Sequence, residues 1–222
     1  MINHRERIEN CLAGDKLDRV PVTLWRHFPV DDQEPGTLAA ATLAFQNQFD
    51  WDIVKVSPAS SYCTKDWGIQ DEWRGSTEGT RDYTNYVIHH PDDWGNLPTL
   101  DPRQGVLSQQ IECLRMLIHQ LGPGTPIIQT VFNPLMQAKY LVGASNLLVH
   151  LRKHPDAVHA GLRTITETTR RFIEAIADTG AAGIFFAVQH AQHGLLSEDE
   201  FDIFVRPYDL QVLEAAQGLW LK

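Results

Sequence analysis

The stretch that decides the fold is Pro126-Ile-Ile-Gln-Thr-Val-Phe-Asn-Pro134, an apolar run that ends abruptly in ring-bearing and polar residues. A short apolar run with such bounds is typical of a buried strand, and a proline suits the first turn of a following helix. Three other runs have the same form: Pro21–Trp25, Ile53–Val56 and Gly183–Val188. The sequence therefore predicts four strands.

Helical patterns separate these strands. Apolar residues recur at helical spacing over 3–13, 37–48, 104–121, from Pro134 onward, over 155–178 and from 198. Strands joined through helices run parallel, so their carboxyl ends share one face, and parallel α/β proteins place their sites there. We predict an α/β fold of the (β/α)8 TIM-barrel type with only about the first four βα units, because a complete barrel takes about 250 residues. A doubly wound open sheet is the alternative, although no glycine-rich phosphate loop follows a strand.

Residues 60–105 interrupt the alternation of strands and helices. Aromatic residues there alternate with glycines and other turn formers, which predicts a small antiparallel excursion on the surface between the second and third strands. We expect residues 1–222 to form one barrel-like domain that carries this excursion.

Composition excludes several classes of protein. The formal net charge is −9, and no run of Lys or Arg exceeds two residues, so a nucleic-acid partner is disfavoured. The sequence has neither a signal-peptide pattern nor an apolar window of about 18 residues, which disfavours a membrane protein. The three cysteines (Cys11, Cys63 and Cys113) are far apart and odd in number. Reduced thiols in a cytoplasmic protein fit this pattern best.

Arg26 and His27 follow the first predicted strand, which makes them candidate substrate-binding residues. Arg26 could pair with Asp31 or Asp32. Its planar guanidinium also matches the two oxygens of a substrate carboxylate, and we favour this second interpretation.

The second predicted strand contains Lys55 and ends at Ser57. Small hydroxyl residues after a strand usually form turns, and we keep Ser57 as a candidate substrate contact. We expect Lys55 to point into the barrel. There an internal ion pair is favoured over a catalytic amine, because no motif supports Schiff-base chemistry.

Polar residues also follow the third and fourth predicted strands. Asn133 is a candidate substrate contact, and Tyr140 about two helical turns later either packs as an aromatic or directs its hydroxyl into the site. Gln189 and His190 follow the fourth strand. His190 and His193 have a spacing that metal sites use, but no cysteine or carboxylate accompanies them, so we favour a hydrogen-bonding role for His190.

Taken in order, these segments resemble the uroporphyrinogen decarboxylase family over nearly the whole chain. The resemblance rests on Leu17-Asp-Arg-Val-Pro-Val22, Trp25-Arg26, Phe49-Asp-Trp-Asp52, Asn133-Pro134 through Tyr140-Leu-Val-Gly143, the helix from His154-Pro-Asp156 to Gly180-Ala181, and Gln189-His-Ala191.

The resemblance implies a (β/α)8 barrel whose decarboxylase branch works without a cofactor on a carboxylated substrate. Arg26 matches the family's first carboxylate-binding arginine, Tyr140 its cleft tyrosine, and Gln189 stands beside His190 where a serine is expected. Two positions depart from the family pattern: Val30 replaces a second arginine and Ala59 replaces an aspartate that binds pyrrole nitrogens. We therefore expect a carboxy-lyase related to uroporphyrinogen decarboxylase, with Tyr140 and His190 in catalysis, acting on a tetrapyrrole or a smaller carboxylate.

Two alternatives stay open. The family's other branch transfers methyl groups between a corrinoid protein and a thiol that zinc activates, and the resemblance places its zinc ligands beyond Lys222. The second alternative is an inert barrel fragment. Four strands would leave two unpaired sheet edges, which predicts either a truncated product, the interpretation we favour, or the pairing of two copies as a homodimer.

Overall fold

The computed structural model describes residues 2–190 and 192–222. The helices are α1 (His4–Ala13), α2 (Pro35–Phe49), α3 (Gly105–Leu121), α4 (Pro134–Val142), α5 (Ala144–Lys153), α6 (Pro155–Ala177), α7 (Glu198–Phe204) and α8 (Arg206–Ala215). The strands are β1 (Val54–Val56), β2 (Gln70–Glu72), β3 (Asp82–Asn85), β4 (Ile127–Phe132) and β5 (Gly183–Ala187).

The main sheet is parallel, with the strand order β1–β4–β5. Lys55 pairs in register with Ile128, which pairs in turn with Gly183. A single bridge joins Gly183 to Leu221 on the outer side of β5. The carboxyl ends of the strands lie at one edge, as predicted, and in the part of the chain that the structure describes the sheet does not close into a barrel.

The prediction of a first strand over Pro21–Trp25 is wrong. This segment is extended and runs beside the start of β1, where Val22 O accepts from Asp52 N at 2.9 Å and Thr23 Oγ1 donates to Ile53 O at 2.6 Å. A regular ladder does not form because proline has no N–H and because the N–H of Val22 donates to the Asp52 carboxylate at 2.7 Å instead of to a backbone carbonyl.

Residues 60–105 form the predicted antiparallel excursion. Its core is the β2–β3 hairpin, flanked by 3-10 turns at Lys65–Trp67 and Pro91–Asn96. Trp94 anchors the excursion to the helices: its indole is fully buried, and Nε1 donates to Nδ1 of His150 at 3.0 Å. Gly161 of α6 lies against the same indole, and a Cβ at this position would collide with it.

The helices agree with the sequence patterns except at two places. The pattern did not reveal α5, which Gly143 separates from α4 with φ 84°, a conformation that favours glycine. The predicted helix from 198 divides into α7 and α8, because Pro207 in the first turn of α8 lacks the N–H that a continuous helix needs.

Two apolar cores hold the sheet and the excursion. The first lies between the sheet and α2, α3, α6 and α8, and the second joins the excursion to α4, α5, α6, α7 and α8. None of the helices formed by the described residues combines the length and the hydropathy needed to cross a bilayer.

Candidate functional site at the carboxyl ends of the strands

Four residues surround the amine of Lys55, and together with it they form what we call the first rim cluster: Trp25, His27, Lys55, Ser57 and Phe185. The Lys55 Nζ lies 4.6 Å from the ring centroid of Trp25 and 4.6 Å from that of Phe185. It donates to Ser57 Oγ at 3.3 Å. Lys55 and Phe185 lie on the same face of the sheet, because β4 connects them through Ile128 and Thr130, two residues apart.

Lys55 is a buried cation that makes no ion pair with any described residue, so the prediction of an internal ion pair is wrong. Burial lowers the pKa of its amine to about 8. The two aromatic faces attract the ammonium form through their quadrupoles, but they do not replace the hydration that it has lost.

His27 lies beside Lys55 and is half-buried against the excursion. A Cβ on Gly79 would lie 2.6 Å from the Cβ of His27, so this glycine permits the close approach of the two segments. Burial lowers the pKa of His27, as does the charge of Lys55, while Asp32 opposes both effects.

Arg26 is exposed and does not join either predicted aspartate. Its guanidinium lies over the ring of Phe28, 5.3 Å from the centroid, and its Nε donates to His27 O at 3.4 Å. In the described part of the chain it has no acidic partner, and its fork of N–H donors remains accessible to an anion.

A second rim cluster consists of Tyr83, Lys139, Tyr140 and His190. The ring of Tyr140 stacks on that of Tyr83 at 5.0 Å, and the Nζ of Lys139 lies 5.4 Å from the Tyr140 centroid. Burial raises the pKa of Tyr140, and the hydroxyls of Tyr83 and Ser60 only partly oppose this effect.

His190 is buried next to Lys139. Burial and then the charge of Lys139 lower its pKa to about 4, so the imidazole is neutral at physiological pH. Its buried Nδ1 has no hydrogen-bond partner among the described residues. The ring lines a cleft of about 310 Å³ whose other walls come from the segment 192–197, from α7 and from Arg206 of α8.

A buried chain of charges reaches from Asp32 beside His27 to Asp71, which pairs with Tyr83 of the second cluster in the β2–β3 hairpin, and sequence analysis missed it. Arg81 Nε donates to Asp71 at 2.8 Å, and Arg81 Nη1 lies 3.7 Å from Asp32, which faces His27. Lys65 also donates to Asp71, at 3.0 Å. No motif marks these residues, because their pairing depends on the register of the β2–β3 hairpin.

Asn133 and Gln189 have different surroundings. Asn133 is fully buried: its Oδ1 caps α4 by accepting from Met136 N at 3.2 Å, and its Nδ2 donates to Asp209 at 3.2 Å. Gln189 is exposed, and its backbone carbonyl accepts from Gln192. The structure thus places Lys55, His27 and Ser57 together, and it places Tyr140 and His190 each near Lys139. The substrate-binding roles of Arg26, His27, Ser57, Asn133 and Gln189 stay predictions.

A sequence model of the uroporphyrinogen decarboxylase (URO-D) family matches residues 3–219. The chain belongs to the uroporphyrinogen decarboxylase family. The fold agrees with this assignment: a methyltransferase from Methanosarcina mazei superposes with a TM-score of 0.82 at 19% sequence identity, covering 98% of this chain and 68% of that one. No curated protein matches the sequence.

Residues 2–190 and 192–222 do not contain a set of ligands for the zinc ion that the family's methyltransferase branch uses. No group of three or more His, Cys, Asp or Glu side chains is close enough there to hold a metal ion. Burial raises the pKa of the Cys63 thiol and raises that of Cys113 to about 12, so both are protonated thiols and not the thiolates that bind zinc.

Proposed function

We propose that this member of the uroporphyrinogen decarboxylase family is a carboxy-lyase that acts on a carboxylated substrate. One observation carries the proposal: the rim bears positive charge that no described acidic side chain neutralises. Arg26, Lys55 and Lys139 are the cations concerned, and burial is the sole cause that lowers the pKa of each lysine. In a protein of formal net charge −9, these unpaired cations are an attractive site for an anion.

The accessibility and the charge of each side chain determine the role that we propose for it. The Arg26 guanidinium is exposed and binds a carboxylate through two parallel hydrogen bonds, whereas the buried Lys55 contributes a charge in surroundings of low polarity, where its attraction for an anion is stronger than in water. Tyr140 and His190 act as neutral hydrogen-bonding groups, since the pKa shifts of both favour the uncharged form.

A substrate smaller than uroporphyrinogen fits this rim best. Val30 and Ala59 stand where the resemblance expects an arginine and an aspartate, so a tetrapyrrole with many carboxylates would find few cations to bind it. The aromatic rings of Trp25 and Phe185 suit an aromatic or apolar substrate body. We also propose that the parallel βα units of this chain belong to a (β/α)8 barrel.

Release of ¹³CO2 tests the proposed reaction. The chain is incubated with ¹³C-carboxyl-labelled uroporphyrinogen, pyrrole acetic acids, hydroxybenzoic acids and malonate half-esters, and the gas is measured by mass spectrometry. We expect release from at least one small acid and an increase in KM in Arg26→Ala. Lys153→Ala, which removes an exposed cation from the end of α5, is the matched control. Failure of every acid to release CO2 would contradict the proposal.

A methyltransferase is the second candidate, and the fold shared with the Methanosarcina mazei methyltransferase favours it. In that case the zinc ligands and the corrinoid partner lie outside the residues described above. The test is transfer of a methyl group from methylcobalamin to a thiol in the presence and absence of added zinc. Zinc-dependent transfer without any release of CO2 would replace the first proposal by the second.

A further inference from the structure

Decarboxylation needs a proton donor, and the two predicted catalytic residues are poorly suited to this role. When a carboxylate leaves as CO2, the electron pair of the broken bond stays on carbon and must be protonated. His190 is neutral near pH 7 because its pKa is about 4, and burial makes the Tyr140 hydroxyl a weaker acid than free tyrosine. An efficient general acid has a pKa near the operating pH.

The buried amine of Lys55 has the geometry of such a donor. It extends from β1 at the carboxyl end of the sheet, two aromatic rings at 4.6 Å cover it, and its only hydrogen-bond partner among the described residues is Ser57. Of the titratable groups, His27 from the preceding segment faces it, and the neighbouring strands β4 and β5 offer Ile128, Thr130 and Phe185, which do not titrate.

We propose that Lys55 is the general acid of the reaction and that its ammonium group protonates the carbon that loses the carboxylate. This inference rests on the proposed function. It adds a catalytic role for a residue that sequence analysis assigned to an internal ion pair.

The step balances without a further reactant. The bond between the carbon and the carboxylate breaks, CO2 leaves, and the electron pair that remains on carbon takes a proton from Lys55 Nζ. The neutral amine then takes a proton from water. A pKa of about 8 leaves most of the amine protonated at pH 7, so the donor form predominates while its proton is released more readily than that of a free lysine.

The principal competing role for Lys55 is purely electrostatic, and Lys55→Arg separates the two. Arginine keeps the positive charge but does not release its proton at neutral pH. For a proton donor we expect kcat for ¹³CO2 release to fall about 10²- to 10⁴-fold while KM changes little. An electrostatic anchor would leave kcat nearly unchanged in Lys55→Arg, and this result would overturn the proposal while the proposed function stands.

Two variants serve as controls. Lys55→Gln removes both charge and proton, so we expect it to lose kcat and to raise KM. Lys153→Arg makes the same change at an exposed position on α5, and we expect no effect. Circular dichroism of each variant establishes that it is folded.

The pH profile is a second readout. In the unaltered chain kcat/KM should fall as the pH rises above about 8, because the donor form is lost. A profile that stays flat through this range would overturn the proposal.

Nuclear magnetic resonance measures the pKa of the Lys55 amine in the absence of substrate. The chain has six lysines, so their ¹³Cε signals can be assigned from single Lys→Arg variants. We expect the Lys55 signal to titrate near pH 8, about two units below an ordinary lysine. Titration near the ordinary value would overturn the role of Lys55 alone. Absence of CO2 release from every acid would overturn the proposed function and this role together.

Discussion

Single residues show how the chain distributes its buried charge. Asp52 is fully buried and accepts hydrogen bonds from Arg7, Arg19, His4 and the N–H of Val22. Burial alone would raise the pKa of Asp52, but the hydrogen bonds from Arg19, His4 and its other partners outweigh burial and hold the pKa well below its usual range. Lys55 is the opposite case, because it is a buried cation to which the described residues offer no anion. The hydrogen bonds to Asp52 fix the start of β1, whereas the unpaired positive charge of Lys55 is available to a ligand.

We expect Asp52→Asn to destabilise the protein by about 2–4 kcal/mol, because it removes the buried carboxylate shared by Arg7, Arg19 and His4, although Arg7 keeps its ion pair with Asp18. Urea unfolding at pH 7 measures the change. Asp50→Asn is the matched control, since Asp50 is two residues away and exposed, and it should cost less than about 1 kcal/mol. Equal losses in the two variants would contradict this account of Asp52.

The glycine in α6 gives a second prediction at this scale. We expect Gly161→Ala to cost about 1–3 kcal/mol, because the new methyl group would collide with the indole of Trp94 in a closely packed core. Gly36→Ala in α2 is the control: it meets open space and should be neutral or stabilising by up to about 1 kcal/mol. Thermal unfolding of both variants measures the change in stability. A Gly161→Ala protein as stable as the unaltered one would show that the excursion does not depend on the close contact between Gly161 and Trp94.

Among the elements, α4 and α8 are joined by one buried polar contact. Asn133 caps α4, which carries Lys139 and Tyr140, and donates to both carboxylate oxygens of Asp209 on α8, at 3.2 and 3.3 Å. Burial raises the pKa of Asp209 to about 7, and the hydrogen bond from Asn133 opposes this shift only in part. The position of the second rim cluster therefore depends on a carboxyl group that ionises near neutral pH.

Asp209→Asn tests this dependence. A carboxyl whose pKa is raised on folding favours the folded state below the unfolded pKa of about 3.9, and this contribution is lost as the pH rises towards the folded value of about 7. We expect the variant to be more stable than the unaltered protein at pH 8 by a few kcal/mol, with a smaller loss of stability between about pH 4 and pH 7. Urea unfolding from pH 4 to pH 8 measures the free energy of unfolding of both proteins. If this free energy depended on pH in the same way in both, the result would contradict the raised pKa of Asp209.

The elements also show what sequence can and cannot predict. Periodicity and turn residues located β1, β4 and β5 and the ends of α1, α3 and α6, because these signals are local. Pro21–Trp25 has the apolar run of a strand and is extended, but it forms no strand, since the N–H of Val22 donates to the Asp52 carboxylate and not to a backbone carbonyl of β1. The neighbours of Lys55, Tyr83 and Arg81 could not be predicted, because they come from segments far apart in the chain.

At the scale of the whole molecule, an apolar surface lies along the edge of the main sheet. Val20, Leu24 and Trp25 are exposed by 74%, 60% and 45% on the extended segment beside β1. Contiguous exposed apolar residues of this kind favour association, in line with the homodimer considered from the sequence.

We expect the 222-residue chain to self-associate at micromolar concentrations through this segment. Sedimentation velocity measures the association, and Leu24→Glu should shift the protein towards the monomer. Leu210→Glu places the same charge on exposed α8 and is the matched control. A monomer at all concentrations, or equal effects of the two variants, would contradict the role of the segment.

The most direct test of the carboxylate-binding rim is a crystal structure of the chain with 4-hydroxybenzoate. We expect its carboxylate within hydrogen-bonding distance of the Arg26 guanidinium and on the same side as Lys55 Nζ, with the ring against Trp25 and Phe185. A carboxylate bound instead in the cleft beside His193, or on the exposed arginines of α3 and α6, would contradict the account.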